Sequence, residues 1–498
     1  MEEGRRLTGG KPFISLRWVD TNKGSEESPN IRSRLVAREL KCRTPQLTAA
    51  ELFSAMPPAE GAKALASIMV NKRVSKRGLP LKMAFFDIKR AHFYGVARRT
   101  VVIELPAERA EEGKCGVLLR TMYGTRDASQ AWQAHYGEVL TTHGFQQGIA
   151  SAASFRSEDE DISLQCHGDD FQVVADDIGL QFFEELLVKN YDFTTTARLG
   201  FGSNDDRRAH YLGREFRLKG NEAEPCIEIE SDTKHVDESI RLLGLSGARA
   251  VVSPSVKSTA EEAQREQGLP PLPPDQATMF RSILMRLAYA AQDRPDLVDA
   301  LKPLTRKMSS PTEADYTRLK RVGRYLLGNR RAWLVFKSER MPPFVYVEAD
   351  SDFAGDLVTR KSTTGVCVML GSHCLRTAGN LQSTVSLSSG EAENYAAVQG
   401  AAAGLGMAAL FADWGIQLKV VLGTDSSAAR GLSSRRGIGK VRHIETRFLW
   451  LQERVASRAV QIWKIAGEKN RADALTKALT GDRLRELCNA MGLVFESS

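Results

Sequence analysis

The chain has 498 residues, 42% of them hydrophobic and 26% charged, with 18 prolines; this excludes a disordered tail, a collagen and a small stapled scaffold, and predicts two or three domains. Lysine plus arginine exceed aspartate plus glutamate by 69 to 61, and the resulting net charge of +8 admits a polyanionic partner without requiring one. The seven cysteines, at 42, 115, 166, 226, 367, 374 and 488, form no C-x-x-C pair, which argues against a disulfide framework and a structural zinc site, and the opening MEEGRRLTGG has no apolar run and is no signal peptide.

Along the chain, LKMAFFDI (Leu81 to Ile88) reads as an apolar strand ending in a carboxylate, and VVIEL (Val101 to Leu105) and GVLLR (Gly116 to Arg120) as further short strands. Gln165 to Ala175 reads as two strand arms meeting at a tight turn that contains Gly168, Asp169 and Asp170. Leu180, Phe183, Leu186 and Leu187 then mark an amphipathic helix. Prolines and charges replace apolar periodicity from Ser253 to Thr278, which predicts a semi-rigid connector. Beyond it Phe280 to Ala291 and Ala314 to Leu327 read as helices. The second carries Arg318, Lys320, Arg321 and Arg324 around a stripe of Leu319, Val322 and Leu326, and its basic face is either solvated or tracks phosphates. From Phe344 the pattern becomes FVYVEAD, TGVCVML, a helix opening at SLSSGEAENYAAV, then VVLGTD, ETRFLWLQERV and VQIWKIA, which predicts a mixed α/β domain. Asn394 to Ala412 is uncharged and long enough to span a membrane, but its alanines and glycines predict a buried helix of a soluble protein.

Phosphoryl transfer by two hard cations needs several carboxylates at one point, each a ligand at about 2 Å for magnesium. Two sets of residues meet that need. Asp87 ends its strand, and Asp169 and Asp170 lie at the hairpin turn, where Gly168 leaves room for close backbone approach. A D-D pair in a turn is also plain turn chemistry, as at Asp176-Asp177 and Asp205-Asp206. The second set is Asp350 at a strand end, Glu391 in a first helical turn, Asp425 at another strand end and Asp473 opening the last helix. Glu391 after Ser388 and Ser389 also fits a capping box, and Asp425 before SSAA an N-cap.

Read together, the flanking words resemble the reverse transcriptase and ribonuclease H portion of a copia-type long-terminal-repeat retrotransposon Pol polyprotein, from about Gly10 to about Leu479. RSRLVARELK (Arg32 to Lys41) resembles its fingers motif, FFDIKRAHFYG (Phe85 to Gly95) its first catalytic-aspartate motif, and LLRTMYGTRDASQAW (Leu118 to Trp132) its tyrosine-glycine motif. HGDD (His167 to Asp170) is similar to its aspartate pair and YLG (Tyr211 to Gly213) to its primer-gripping motif. ADSDFAGDLVTRKSTTG, SLSSGEAENYAA, TDSSAA, VRHIETRFLW and NRADALTKAL follow in family order.

The resemblance implies an α+β multidomain chain. A right-hand polymerase fold of fingers and palm would cover residues 1–252, connector and thumb-like helices 253–339, an RNase H-like mixed α/β domain 340–480, and a C-terminal tail 481–498. It implies an RNA-directed DNA polymerase with ribonuclease H activity, working on RNA template, DNA primer, RNA:DNA hybrid and deoxynucleoside triphosphates with two Mg2+ (or Mn2+) per site. Asp87, Asp169 and Asp170 would hold the polymerase ions, and Asp350, Glu391, Asp425 and Asp473 those of the nuclease. Asp352 is an alternative first ligand that ranks below Asp350. Arg32 or Arg34 would neutralise the triphosphate, and Tyr123, Gly124 and Arg126 would line the nucleotide pocket. His92 stands where the family has an aromatic that discriminates against ribose, with Phe93 adjacent.

Lys72, Arg73, Lys76 and Arg77, the Arg318 to Arg324 helix, and Arg435, Arg436, Lys440 and Arg442 would follow a nucleic-acid backbone. His443 would make either a structural hydrogen bond or a substrate contact. The chain departs from the family at His167 and Gly168, which replace an aromatic and a branched aliphatic, and at Ser129, where proline is common. Two alternatives stay open: a hybrid-binding ribonuclease with an impaired polymerase site, and a catalytically dead remnant that only binds nucleic acid. With no integrase, protease or zinc-knuckle words, the expectation is a processed portion, a truncated copy favoured by the Met1 start, or a wrongly bounded gene. The setting expected is a cytoplasmic virus-like particle or the nucleus.

Overall fold

The computed structural model describes residues 1–22, 24, 28–41, 47–439 and 443–496, so Cys42, Lys440 and Arg442 lie outside the described residues. The chain divides into two compact units: residues 1–59 with 84–196, and residues 60–83 with 197–498. None of the three cuts falls at residue 252 or 339.

After a short helix, Glu2–Leu7, unit 1 forms the antiparallel hairpin of β1 (Leu16–Asn22) and β2 (Ile31–Ala37). The chain then contributes helix α1 (Gly61–Lys72) to unit 2 before entering β3 (Lys82–Ile88). KMAFFDI forms a strand because its aromatic and branched residues are covered on both faces; it is buried throughout except at half-buried Asp87. Helix α2 (Ala128–Thr142), strands β4 (Gln146–Gln147), β5 (Ser154–Ser157), β6 (Ile162–His167) and β7 (Asp170–Ala175), helix α3 (Asp177–Asn190) and strand β8 (Phe193–Leu199) follow. The sheet order is β8-β3-β7-β6-β5-β4, and Phe86, Trp132, Phe155, Phe171 and Phe183 meet in one core. The amphipathic helix expected around Leu180 is α3, and all four of its marker residues are buried. The strands expected at Val101 to Leu105 and Gly116 to Arg120 shrink to Val102–Ile103 against Gly116–Val117. They form a two-stranded sheet joined on one side only by the single bridge of Ile103 to Ile14, with Leu119 beside it 81% exposed, so little covers or extends it.

Unit 2 continues with β9 (Arg208–Tyr211), β10 (Arg214–Gly220), β11 (Pro225–Ser231), and helices α4 (Lys234–Leu242), α5 (Pro274–Ala290), α6 (Val298–Thr305) and α7 (Glu313–Gly328). These four helices share a core that includes Phe280, Leu284, Leu287, Leu304, Leu319 and Leu326, so the stripe read on α7 is core. Part of its basic face is engaged internally: Arg318 pairs with Glu266 at 2.6 Å and Arg324 donates to the carbonyl of Arg249. The connector holds a short helix, Ala260–Glu266, started by a Thr259/Glu262 capping box.

Next come β12 (Ala332–Lys337), β13 (Phe344–Asp352), β14 (Thr363–Leu370), β15 (His373–Leu381), helix α8 (Ser389–Asp413), β16 (Lys419–Thr424), α9 (Ser427–Ser433), α10 (Trp450–Ala456), β17 (Val460–Lys464) and α11 (Asp473–Thr476). Their sheet runs β15-β14-β13-β16-β17, with the first three strands antiparallel and β16 and β17 parallel to β13, which is the RNase H-like domain the resemblance implies. Residues 481–496 of the expected tail are instead packed as structure. Helix α12 (Gly481–Ala490) buries Leu484, Leu487 and Cys488, and β18 (Leu493–Phe495) pairs with β12 at the edge of the sheet β9-β10-β11-β12-β18. The segment is short but amphipathic, and burying that stripe holds it down.

Among the described residues α8 alone is long and apolar enough to cross a membrane, and half of its apolar window is buried. Its small residues have a packing reason. A Cβ on Gly404 would meet Val420 at 2.7 Å and Val347 at 2.8 Å, and one on Gly400 would meet Leu422 at 3.0 Å and Ala349 at 3.1 Å. Gly406 faces open space. Gly404→Leu should therefore lower stability by about 1–3 kcal/mol through overpacking, whereas Gly406→Ala should raise it by about 0.4–1 kcal/mol. Thermal unfolding of the two variants beside the parent protein checks both signs.

Candidate active sites

In unit 1 the turn between β6 and β7 is built on Gly168, whose φ of +68° is the left-handed conformation glycine adopts without strain. Three contacts anchor this turn: the Trp132 indole N–H donates to the Gly168 carbonyl at 2.7 Å, the Cys166 thiol reaches the same oxygen at 3.4 Å, and the Ile88 N–H donates to the Asp169 carbonyl at 2.9 Å. The last bond ties the aspartate turn to the strand end that carries Asp87. Burial, then the charges of Asp169 and Asp87, push the Asp170 carboxyl up to about 7.

Tyr123 stands over the same charges. Burial and Asp169 raise its hydroxyl while Arg34, 5.8 Å from the ring, and Arg32 oppose them. The His92 and Phe93 rings lie edge-on to Tyr123, at 4.9 and 5.8 Å. Burial lowers the His92 imidazole against the pull of Asp169, and its Nδ1 is buried without a hydrogen-bond partner. Gly124 and Arg126, expected to line a nucleotide pocket, have backbone roles here. Gly124 has φ +88°, and a Cβ there would sit 2.1 Å from the Ala37 carbonyl; the Arg126 N–H donates to Glu39 at 2.8 Å. The residue that organises this loop was not singled out from sequence. Arg99 bridges Glu39 at 2.6 Å and Asp127 at 2.9 Å.

In unit 2 the parallel register runs from Phe344↔Lys419 to Glu348↔Gly423, and continuing it by two residues sets Asp350 beside Asp425. Helix α8 crosses these strands with Gly400 and Gly404 against them. Glu393 lies on that same stripe, at the i, i+4, i+7, i+11 positions 393, 397, 400 and 404. Asp350, Glu393 and Asp425 each bring one carboxylate oxygen within 4.8 Å of the others, the one such trio among the described residues. Asp350 is only 1% exposed. Burial, then Asp350 and Asp425, push Glu393 up to about 8, and its Oε2 is buried with no hydrogen-bond partner. Burial and Asp350 raise Asp425 and Asp473 as well. A half-buried carboxylate with one oxygen lacking a partner, gathered with two others, fits a hard divalent cation, since oxygen ligands of this kind are what such an ion takes.

Glu391, expected as a ligand, belongs elsewhere. Two residues along a helix is a turn of about 200°, so Glu391 and Glu393 cannot face one point. Glu391 accepts from the Leu387 N–H at 3.0 Å, the Tyr395 hydroxyl and His443 Nε2 at 2.8 Å. Burial works to raise its carboxyl, but these bonds hold it below the usual range. His443 accordingly makes a hydrogen bond within the protein. Asp425 is no N-cap, since Ser426 caps α9 through the Ala429 N–H at 3.1 Å. Asp352 takes the Thr363 N–H and is not one of the trio. Asp473 joins through Lys477, whose ammonium lies 2.6 Å from Asp473 and 3.2 Å from Asp350.

No family model matches the chain. It is 25% identical over 491 residues, 97% of its length, to the retrovirus-related Pol polyprotein from transposon RE2 of Arabidopsis thaliana. Over nearly its whole length the chain is thus similar to retrovirus-related Pol polyproteins of transposons. It spans about a third of the length of this relative, 32%. An uncharacterized mitochondrial protein of Arabidopsis thaliana is 35% identical over 224 residues, 44% of this chain and 86% of that one. Among solved structures, the foamy viral protease-reverse transcriptase in complex with dsDNA superposes with a TM-score of 0.50 at 11% identity, covering 92% of this chain and 79% of its own, which shows the fold.

Glu393 binds its proton more tightly in the folded chain, near 8, than at its ordinary value of 4.5, so its ionisation costs stability as pH rises between those values. Without divalent cations the melting temperature should fall from about pH 5 to about pH 9 and Glu393→Gln should flatten that fall. A Glu393→Gln protein with the same downward slope as the parent would contradict the assignment.

Proposed function

We propose that this chain is the RNA-directed DNA polymerase and ribonuclease H of a copia-type retrotransposon, acting on both substrates by two-metal phosphoryl transfer. The observation that carries the reading is the convergence of Asp350, Glu393 and Asp425 in an RNase H-like domain, with Glu393 Oε2 unpaired. Asp350, Glu393, Asp425 and Asp473 would hold magnesium, which when bound activates a water and offsets charge on the scissile phosphate of an RNA:DNA hybrid. The protein's own part is to fix the carboxylates of Asp350, Glu393 and Asp425 on two strand ends and a helix, so that they already converge.

In unit 1 Asp87, Asp169 and Asp170 would serve primer extension on an RNA template. Arg32 or Arg34 would meet the triphosphate of a deoxynucleotide, and the Tyr123, His92 and Phe93 rings would pack its sugar and base. Fingers and palm to residue 252, connector and thumb-like helices to 339 and the RNase H domain to 480 remain our functional division. A cytoplasmic particle or the nucleus is the setting in which such substrates meet.

A second reading, a hybrid-binding ribonuclease with an impaired polymerase site, is favoured by one contrast. The trio of tightly gathered carboxylates among the described residues is in unit 2, not at Asp87, Asp169 and Asp170.

Primer extension and RNA-strand cleavage by the purified chain with Mg2+ test both readings. Asp169→Asn should abolish DNA synthesis and leave cleavage intact. Glu393→Gln should do the reverse, lowering cleavage by on the order of 10²-fold or more, while Glu391→Gln, at a residue bonded to Leu387, Tyr395 and His443 rather than to the trio, should cost about 10-fold or less. Cleavage without any extension by the parent protein would select the second reading. Equal losses from the two glutamate variants would contradict the ligand assignment.

A further inference from the structure

The nuclease site contains a cation of its own that the proposed function does not use. Lys477 follows the single turn of α11, four residues after Asp473, and its ammonium lies 2.6 Å from Asp473 and 3.2 Å from each carboxylate oxygen of Asp350. Asp350 also accepts from the Thr476 hydroxyl. Both oxygens of Asp350 are thus engaged by the chain itself, and so is Asp473. Glu393 is the contrast, with one buried oxygen that has no partner. Asp425 is approached by the backbone of Gly467, where a Cβ would sit 3.1 Å from its Oδ2.

The acidic site therefore has two unlike halves that share Asp350. The half formed by Asp350, Glu393 and Asp425 gathers three carboxylates with no basic side chain hydrogen-bonded to Glu393 Oε2. The half formed by Asp350 and Asp473 is bridged by an ammonium. A divalent ion placed between Asp350 and Asp473 and the Lys477 ammonium would compete for the same oxygens and repel each other.

We propose that Lys477 is a built-in occupant of the second cation position of this site. The free protein then takes up one divalent ion, on Asp350, Glu393 and Asp425. A second ion is held by Asp350 and Asp473 only after the ammonium is drawn away, as the phosphates of a bound nucleic-acid strand would draw it. Loading of the second ion and binding of the strand are thereby linked, and linkage of this kind is reciprocal. The inference rests on the reading of the trio as a metal site.

Counting bound Mn2+ by the electron paramagnetic resonance signal of the free ion, in the full chain without nucleic acid, tests it. Lys477→Met and Lys477→Gln should each bind one Mn2+ more than the parent, Lys477→Arg should not, and adding Asp473→Asn to Lys477→Met should remove the gain. The two neutral substitutions guard against a fold defect in either. An unchanged count in both neutral variants, or a gain that survives Asp473→Asn, overturns the proposal. Asp425→Asn separates this failure from that of the reading beneath it. If it leaves the parent's Mn2+ count unchanged, the trio is not a metal site; if it removes an ion while the lysine variants gain none, only the role of Lys477 is wrong.

Discussion

Like charges in a shared, poorly solvated pocket repel, and the RNase H-like domain is arranged around that cost. Two carboxylates about 4 Å apart at an effective dielectric near 20 repel by about 4 kcal/mol. Asp350, Glu393 and Asp425 each bring an oxygen within 4.8 Å of the others, and the rise of Glu393 to about 8 records its burial first and this repulsion second. Such a cluster persists because the sheet and helix over-determine it: parallel strands fix Asp350 next to Asp425, and a helix with glycines at 400 and 404 lies close enough to bring Glu393 in. The Lys477 ammonium and the Thr476 hydroxyl offset part of the charge on Asp350.

The same economy of side-chain volume explains features that look unrelated. The alanine and glycine content of α8 is what close helix-to-sheet packing needs, and it is also what makes the segment read as membrane-like. In unit 1 the aspartate turn depends on backbone freedom at Gly168 and on the Trp132 indole that holds its carbonyl. The His167 and Gly168 departure from the family pattern thus falls on a turn whose anchors are Trp132, Cys166 and Ile88.

Much of the architecture was legible in the sequence because its long apolar runs have one covering solution. KMAFFDI, the hairpin around Gly168, the helix of Leu180 to Leu187 and the alternation after Phe344 all fold where the pattern puts them. Motif words gave residue types but not helical phase. Glu391 and Glu393 sit in one word, and only the stripe through Ala397, Gly400 and Gly404 separates the residue facing Asp350 from the one facing His443. Strand β15, HCLRTAGNL, lacks alternation because only its first part is buried, and the final eighteen residues hid an amphipathic helix behind a short length. Arg99 was illegible because its value lies in two acids far off in sequence, Glu39 and Asp127.

The most direct test of the central claim is a crystal of the full chain grown with Mn2+ and read by anomalous scattering. The account predicts a peak in contact with Asp350, Glu393 and Asp425, with Glu391 still hydrogen-bonded to His443. A peak ligated by Glu391, or full Mn2+ occupancy elsewhere with none at the trio, would contradict it.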